Sequence, residues 1–190
     1  MKHEQVVLVD ESDRERGVLD KQRAHVEGQL HRAVSVFVFD ARGALLLQQR
    51  ARAKYHSGGL WTNTCCSHPR PGEDASDAAR RRLREEMGFV CALRPVRSFV
   101  YRASVGGGLV EHELDHLFVG RSDAAPRPDP AEVMAWRRVS VAALWRALTR
   151  RPGDFTPWLA LALRELAACG VIARDRGSAW AAADAPARVS

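Results

Sequence analysis

Long apolar runs are missing from this 190-residue chain, and no stretch approaches the about 20 apolar residues that a membrane span requires. Its first residues, Met1-Lys2-His3-Glu4-Gln5, lack the apolar segment of a secretory signal, so a cytoplasmic location is expected, with no membrane partner. Cysteine is scarce. Cys65 and Cys66 are adjacent while Cys91 and Cys169 lie far apart, which is no disulfide framework and suits a reducing compartment. No second Cys/His pair at finger spacing follows Cys65-Cys66-Ser67-His68, which counts against half of a structural zinc site there. The net charge of +6 comes without an aromatic-interleaved basic stripe, because the arginines are scattered among Ala and Glu. Nucleic acid is therefore not the expected partner, whereas a small anion accounts for the balance equally well. No internal repeat of solenoid period is visible, and the length suits one domain with a real core.

The apolar pattern predicts a sheet with helices beside it. Residues 6–10 and 17–20 read as a strand and its return, and 21–26 as a short helix carrying Lys21 and His25 one turn apart on one face. Residues 32–39 and 44–50 are β-rich around the turn Asp40-Ala41-Arg42-Gly43, which predicts a second hairpin at the centre of the sheet. From Asp74 to Met87 the residues Ala75, Ala78, Ala79, Leu83 and Met87 recur at helical intervals, with Gly88 as the stop. Residues 97–103 and 110–119 alternate as strands joined by Gly106-Gly107-Gly108. A strand over 133–139, a helix over 141–148 and a helix from Thr156-Pro157 to about Ala168, ended by Gly170, complete the domain. The tail, residues 174–190, is Ala-rich and weakly amphipathic; it is expected to be loosely ordered and dispensable for chemistry.

Two polar constellations carry chemistry. Trp61-Thr62-Asn63-Thr64-Cys65-Cys66-Ser67-His68-Pro69 sets a thiol two residues from an imidazole, and Glu111 and Glu113 stand two apart on a strand, hence on one face. Cys and Glu each give or take a proton, and His with Glu holds a divalent metal, so the parts suit metal-assisted proton transfer. Taken alone, Cys66 also fits a small buried hydrophobe and His68 a turn residue. His3, His56, His112 and His116 are read as surface or capping residues, His112 because it points opposite to its two Glu neighbours. Cys65 is read as packing for the same reason of alternation beside Cys66.

The segment Glu73, then Arg81-Arg82-Leu83-Arg84-Glu85-Glu86-Met87-Gly88-Phe89, resembles the Nudix box, with two departures. Arg82 stands where the hydrolases place a metal-gathering Glu, and Ser67 where the box opens with Gly. A guanidinium in place of a carboxylate inverts the local charge. The chain from residue 6 to about 166 resembles type 1 isopentenyl-diphosphate isomerase, which uses a Nudix-like fold. The resemblance rests on Lys21 and His25, Leu30-His31-Arg32, Trp61-Thr62-Asn63 with Cys66, His68 and Pro69, Tyr101-Arg102-Ala103, Glu111 and Glu113, and Phe155, Pro157 and Trp158.

The resemblance implies an α+β, α/β-sandwich fold with a central mixed sheet flanked by helices, as a single domain over 1–173. It implies an isomerase converting isopentenyl to dimethylallyl diphosphate through a carbocation, in isoprenoid synthesis. The alternative is a Nudix hydrolase of an organic or nucleoside diphosphate. By resemblance Cys66 and Glu113 handle protons, assisted by Tyr101. Likewise His25, His31, His68, Glu111 and Glu113 hold one Mn or Zn ion, and Glu86 holds Mg with the diphosphate. Lys21, Arg50, Lys54, Arg82 and Ser67 surround the phosphates, and the Trp158 π face meets the cation, with Trp61 walling the pocket. Neither flavin nor nicotinamide is called for, and a monomer is expected, since no long apolar stripe remains once the core is assigned.

Overall fold

Strand β3 (His31–Phe39) is the spine of the structure, a computed structural model in which residues 4–173 are described. Along one edge it pairs in parallel with β8 (Leu109–Arg121), in unbroken register from His31↔Glu113 to Phe39↔Arg121. Its other edge is shared by three antiparallel partners. These are β1 (Gln5–Val9) at His31, β6 (Cys65–Ser67) at Val34, Ser35 and Val36, and β4 (Ala44–Arg50) at Phe39. Strand β2 (Glu15–Asp20) completes the opening hairpin with β1, and β7 (Leu93–Gly106) pairs antiparallel with β8. Strand β4 is flanked by β5 (Trp61–Thr62) and β9 (Val133–Ser140). The result is a mixed sheet of nine strands among the described residues.

Period-two alternation sends the two faces of this sheet into different cores. Val34, Val36 and Val38 with Leu46 and Phe118 meet helix α2 (Ala75–Met87) through Ala78, Ala79, Leu83 and Met87. Phe37, Phe39, Leu45, Leu47, Leu117 and Val119 meet helices α3 (Val141–Arg150) and α4 (Pro157–Ala168). This is the α/β sandwich that the resemblance implies, with the helices beside a sheet that the apolar pattern predicts. Helix α2 starts at Asp74, whose side chain accepts from the Ser76 N–H at 2.7 Å. It ends at Gly88 with φ +71°, where an added Cβ would stand 2.1 Å from the Arg127 carbonyl oxygen, so only glycine fits.

One expectation needs correction. Residues 32–39 and 44–50 do form β3 and β4, but they are not a plain hairpin: only Phe39↔Leu45 pairs, and the strands then part. Thr64 fills the gap. Its N–H donates to the Val36 carbonyl at 3.1 Å, while its hydroxyl accepts from the Val38 N–H at 2.9 Å and donates to the Leu46 carbonyl at 2.6 Å. One wholly buried hydroxyl thus replaces the lost ladder and lets β6 enter beside β3, which brings Cys66 to the sheet. The tail, residues 174–190, lies outside the described residues.

Because Thr64→Val keeps the shape but orphans a buried N–H and C=O, it should destabilise the fold by about 2–4 kcal/mol, against about 1 kcal/mol for Thr64→Ser. Urea unfolding of the two variants checks this, and equal losses would show that the methyl, not the hydroxyl, matters.

Candidate active site

Beyond the end of α4, the sheet face that carries Leu117 and Val119 turns polar, and its next members down β8 are Asp115, Glu113 and Glu111. All three are buried. The parallel register sets His31 beside Glu113, and the β6 pairing brings His68 in from the other edge of β3. Helix α1 (Lys21–Glu27) supplies His25, one turn past Lys21, with Asp20 capping the first turn by accepting from the Arg23 N–H at 3.0 Å. One donor atom from each of His25, His31, His68, Glu111 and Glu113 lies within 4.8 Å of every other. Five residues spread over the chain from 25 to 113 thus converge on one point.

The hydrogen bonds fix which nitrogens face that point. His25 Nδ1–H donates to the Lys21 carbonyl at 2.6 Å and His31 Nδ1–H to the Gln29 carbonyl at 2.8 Å, since a carbonyl can only accept. In a neutral ring, Nε2 then carries a bare lone pair. In His25 it faces Glu111 Oε2 at 3.1 Å, and in His31 it faces Glu113 Oε1 at 3.6 Å with no hydrogen-bond partner. The Tyr55 hydroxyl, 3.4 and 3.2 Å from the two His25 nitrogens, is too nearly equidistant to lie along either lone pair. His68 Nε2 stands 2.8 Å from Glu113 Oε1, with Nδ1 unpartnered. Lone pairs aimed at carboxylates repel unless a proton or a metal ion lies between them. Burial pushes the His68 imidazolium well below its usual range despite Glu113, whereas at His25 the Glu111 carboxylate outweighs burial and raises it, so a proton can serve at His25 but is disfavoured at all three rings together. Three imidazoles and two carboxylates around a shared centre are the donor set of a divalent metal ion.

Burial raises the Glu111 and Glu113 carboxyls, and the Glu111 charge raises Glu113 further. The His25 and His56 bonds nevertheless carry Glu111 well below the usual carboxylate range, and His31 and His68 carry Glu113 below it. Tyr101 donates to Glu113 Oε2 at 2.5 Å, and burial holds its phenol far above the usual value. Cys66, Glu111, Glu113 and Tyr101 line one pocket with Trp158 and His56. Burial pushes the Cys66 thiol up to about 12, although Arg50, 3.8 Å from its sulfur, opposes this. Cys65 faces the other way and is wholly buried in the core under α2, as alternation predicts.

Lys21, Arg50, Lys54 and Arg82 all reach this pocket, and Ser67 borders it. Each cation is already engaged: Lys21 with Glu4 at 3.0 Å, Lys54 with Glu132, and Arg82 with Glu85 and Glu86 at 2.7 Å each. Arg50 lies over the Trp158 ring at 5.5 Å. Glu86 is not a solvated helix residue but 3% exposed, its oxygens accepting from Gln48 Nε2 at 2.9 Å and Arg82 Nη2 at 2.7 Å. Glu85 is the exposed partner of the pair.

Two readings fail here. Trp61 does not wall the pocket; it packs against the α3/α4 core with the Arg137 guanidinium 4.0 Å over its ring. His56 is not a surface residue: it is 7% exposed, with Nε2 3.1 Å from Glu111 Oε1. His112 and His116 lie away from the cluster, His112 bonded to the Gly28 carbonyl at 2.9 Å and His116 with Nε2 3.0 Å from an Asp13 carboxylate oxygen, while His3 lies outside the described residues.

The NUDIX domain family model matches residues 29–159. Isopentenyl-diphosphate Delta-isomerase from Burkholderia multivorans is 58% identical over 82% of this chain and 88% of its own. Isopentenyl-diphosphate Delta-isomerase 2 from Aromatoleum aromaticum is 52% identical over 87% and 88%. The chain belongs to the isopentenyl-diphosphate Delta-isomerase family. Among solved structures, DR0079 from Deinococcus radiodurans superposes with a TM-score of 0.68 at 23% identity over 85% of this chain and 98% of that one, which speaks to the fold alone. No described helix of this isomerase-family chain is long and apolar enough to cross a membrane.

Metal titration of the stripped protein tests the centre. Structural Zn²⁺ sites bind by about 10–16 kcal/mol over four ligands, so loss of one ligand in His25→Ala should weaken Mn²⁺ or Zn²⁺ binding by about a hundredfold. Metal that raises the unfolding temperature of the parent equally in His25→Ala would remove His25 from the donor set.

Proposed function

We infer that this protein isomerises isopentenyl diphosphate to dimethylallyl diphosphate, and that Cys66 and Glu113 move the protons. The single observation that supports this best is that a protonated thiol and an ionised carboxylate bonded to a phenol line one pocket beside a His/Glu donor cluster. In the reaction, a proton adds to the terminal alkene carbon, a tertiary cation forms, and a proton leaves the adjacent carbon. No net proton is consumed. The enzyme therefore needs one acid and one base on the two sides of the substrate, and the pair holds one proton between them, on sulfur.

His25, His31, His68, Glu111 and Glu113 would hold one Mn²⁺ or Zn²⁺, whose charge sets the acidity of the Glu113 carboxyl. Tyr101 orients Glu113 and carries a proton at hydrogen-bond range. Glu86 would hold Mg²⁺ with the diphosphate, its buried carboxylate standing beside the pocket on Arg82 and Gln48. Lys21, Lys54 and Arg82 would turn from their carboxylates to the phosphates, joined by Arg50 from over the Trp158 ring, with Ser67 adding a hydroxyl. Trp158, at the start of α4, offers its ring to the cation, and the reaction requires that water, which would trap the cation, be kept from it. Hydrolysis is the weaker reading, because Arg82 stands where that chemistry wants a carboxylate.

Incubation with isopentenyl diphosphate and Mg²⁺ in deuterated water, followed by NMR, should give dimethylallyl diphosphate carrying solvent deuterium and no free phosphate. Phosphate release without rearrangement would move the protein to the hydrolases. Cys66→Ala and Glu113→Gln should each lower kcat by about 10²–10⁴-fold in folded protein, the range of general acid–base contributions. Normal turnover in either would sink the assignment of that residue.

A further inference from the structure

His56 differs from the three histidines of the donor cluster in one respect that decides its role. Its Nδ1 meets no carbonyl but the Ser57 hydroxyl, at 3.3 Å, which can donate to it. Since that hydroxyl can donate, the proton of a neutral ring is left to Nε2, which stands 3.1 Å from Glu111 Oε1. In His25 and His31 the carbonyl bonds take the Nδ1 proton, so that a neutral ring turns a lone pair on Nε2 toward the centre. His56 can thus present a donor where a ligand would present a lone pair. Glu111 is met from two sides: Oε1 by His56 Nε2 and Oε2 by His25 Nε2, each at 3.1 Å.

The segment that carries His56 is built to hold it still. Gly59 N–H donates to the Arg50 carbonyl at 3.0 Å, Arg50 N–H to the Leu60 carbonyl at 2.9 Å, and Arg50 Nη2 to the His56 carbonyl at 3.3 Å. Ser57 takes a left-handed φ of +52°, unfavourable for a side chain, and a Cβ at Gly58 would stand 2.6 Å from the Arg52 carbonyl oxygen. The ring is wedged edge-on between Tyr55 at 4.3 Å and Trp158 at 6.1 Å. Strain held in so short a loop, with its one buried imidazole aimed at a donor-cluster carboxylate, marks a position kept for that contact.

We propose that His56 is a positioning residue that locks Glu111, so that Oε1 is spent on the His56 N–H and only Oε2 turns to the metal. This rests on the proposed His/Glu metal centre and extends it to the shell behind the ligands. Outer partners of this kind are worth about 10–100-fold in metal affinity.

The test is Mn²⁺ binding to the stripped full-length protein, followed by the EPR signal of free Mn²⁺ and needing no turnover. His56→Phe keeps the ring and its packing on Trp158 but removes the donor, and should weaken Mn²⁺ binding by about 10–100-fold. His56→Gln returns an N–H at similar reach and should come back to within about threefold of the parent. Phe and Gln variants that bind equally would overturn the proposal, because packing alone would then explain His56. A parent that binds no Mn²⁺ or Zn²⁺ would overturn the metal centre itself, and this proposal with it.

Discussion

The parallel pairing of β3 with β8 is the constraint on which the site depends. It places His31 beside Glu113, and since both strands alternate, it also decides that Glu111, Glu113 and Asp115 share a face with Leu117 and Val119. That face is a packed core where α3 and α4 cover it and a polar chamber where they stop. A one-residue slip would send both ligand carboxylates into the opposite core and the apolar side chains into the pocket. The same register that builds the sandwich therefore builds the centre, and unbroken pairing over nine positions makes a slip expensive.

Much of this was legible because period two is a strong signal. Glu111 and Glu113 on one face, Cys65 and Cys66 on opposite faces, and the Gly88 stop each follow from local spacing, and the structure repeats them. Failures occurred where long-range partners decide. The parting of β3 from β4 depends on the Thr64 hydroxyl reaching both strands, and nothing in the spacing of 32–39 and 44–50 shows it. Trp61 occupies a recognisable motif, yet its direction is set by Arg137 and the α3/α4 core, far along the chain. His56 was passed over because it sits in a short polar loop beside Ser and two Gly, the composition of an exposed turn. Its burial comes from Trp158, a hundred residues on. Glu86 shows the intermediate case: its helix position is readable, but its burial depends on Gln48 from β4.

The electrostatic economy of the pocket explains why so many charges are tolerated in so little space. A buried carboxylate is costly unless it has a partner, and Glu111, Glu113 and Glu86 each have one, whereas burial and the Glu113 charge raise Asp115 well above the usual carboxylate range. Glu111 is held by two imidazoles, Glu113 by Tyr101 and two imidazoles, and Glu86 by Gln48 and Arg82. Lys21, Lys54 and Arg82, which reach the pocket, are likewise met by Glu4, Glu132 and Glu85. On the proposed function, a diphosphate would displace these carboxylates from their cations. Binding would then be an exchange of partners, and the carboxylates released would be free to take a metal ion in turn. Anion and cation entering together would largely offset each other's charge, which limits the desolvation that either would meet alone.

Cys66 stands apart from this exchange. Burial keeps its thiol neutral, as do the charges of Glu86, Glu113 and Glu111, and Arg50, the cation that opposes them from 3.8 Å, is also the residue that lies over Trp158. On the proposed function, Arg50 turning toward a phosphate would take from the thiol a charge that favours its thiolate, and from the Trp158 face the cation lying on it. Both changes would serve a carbocation: a sulfur that keeps its proton until the substrate demands it, and an aromatic face left open for positive charge. Arg50 would then couple the diphosphate end of the pocket to its hydrocarbon end, so that the groups that handle the cation would be readied by the binding of the phosphates.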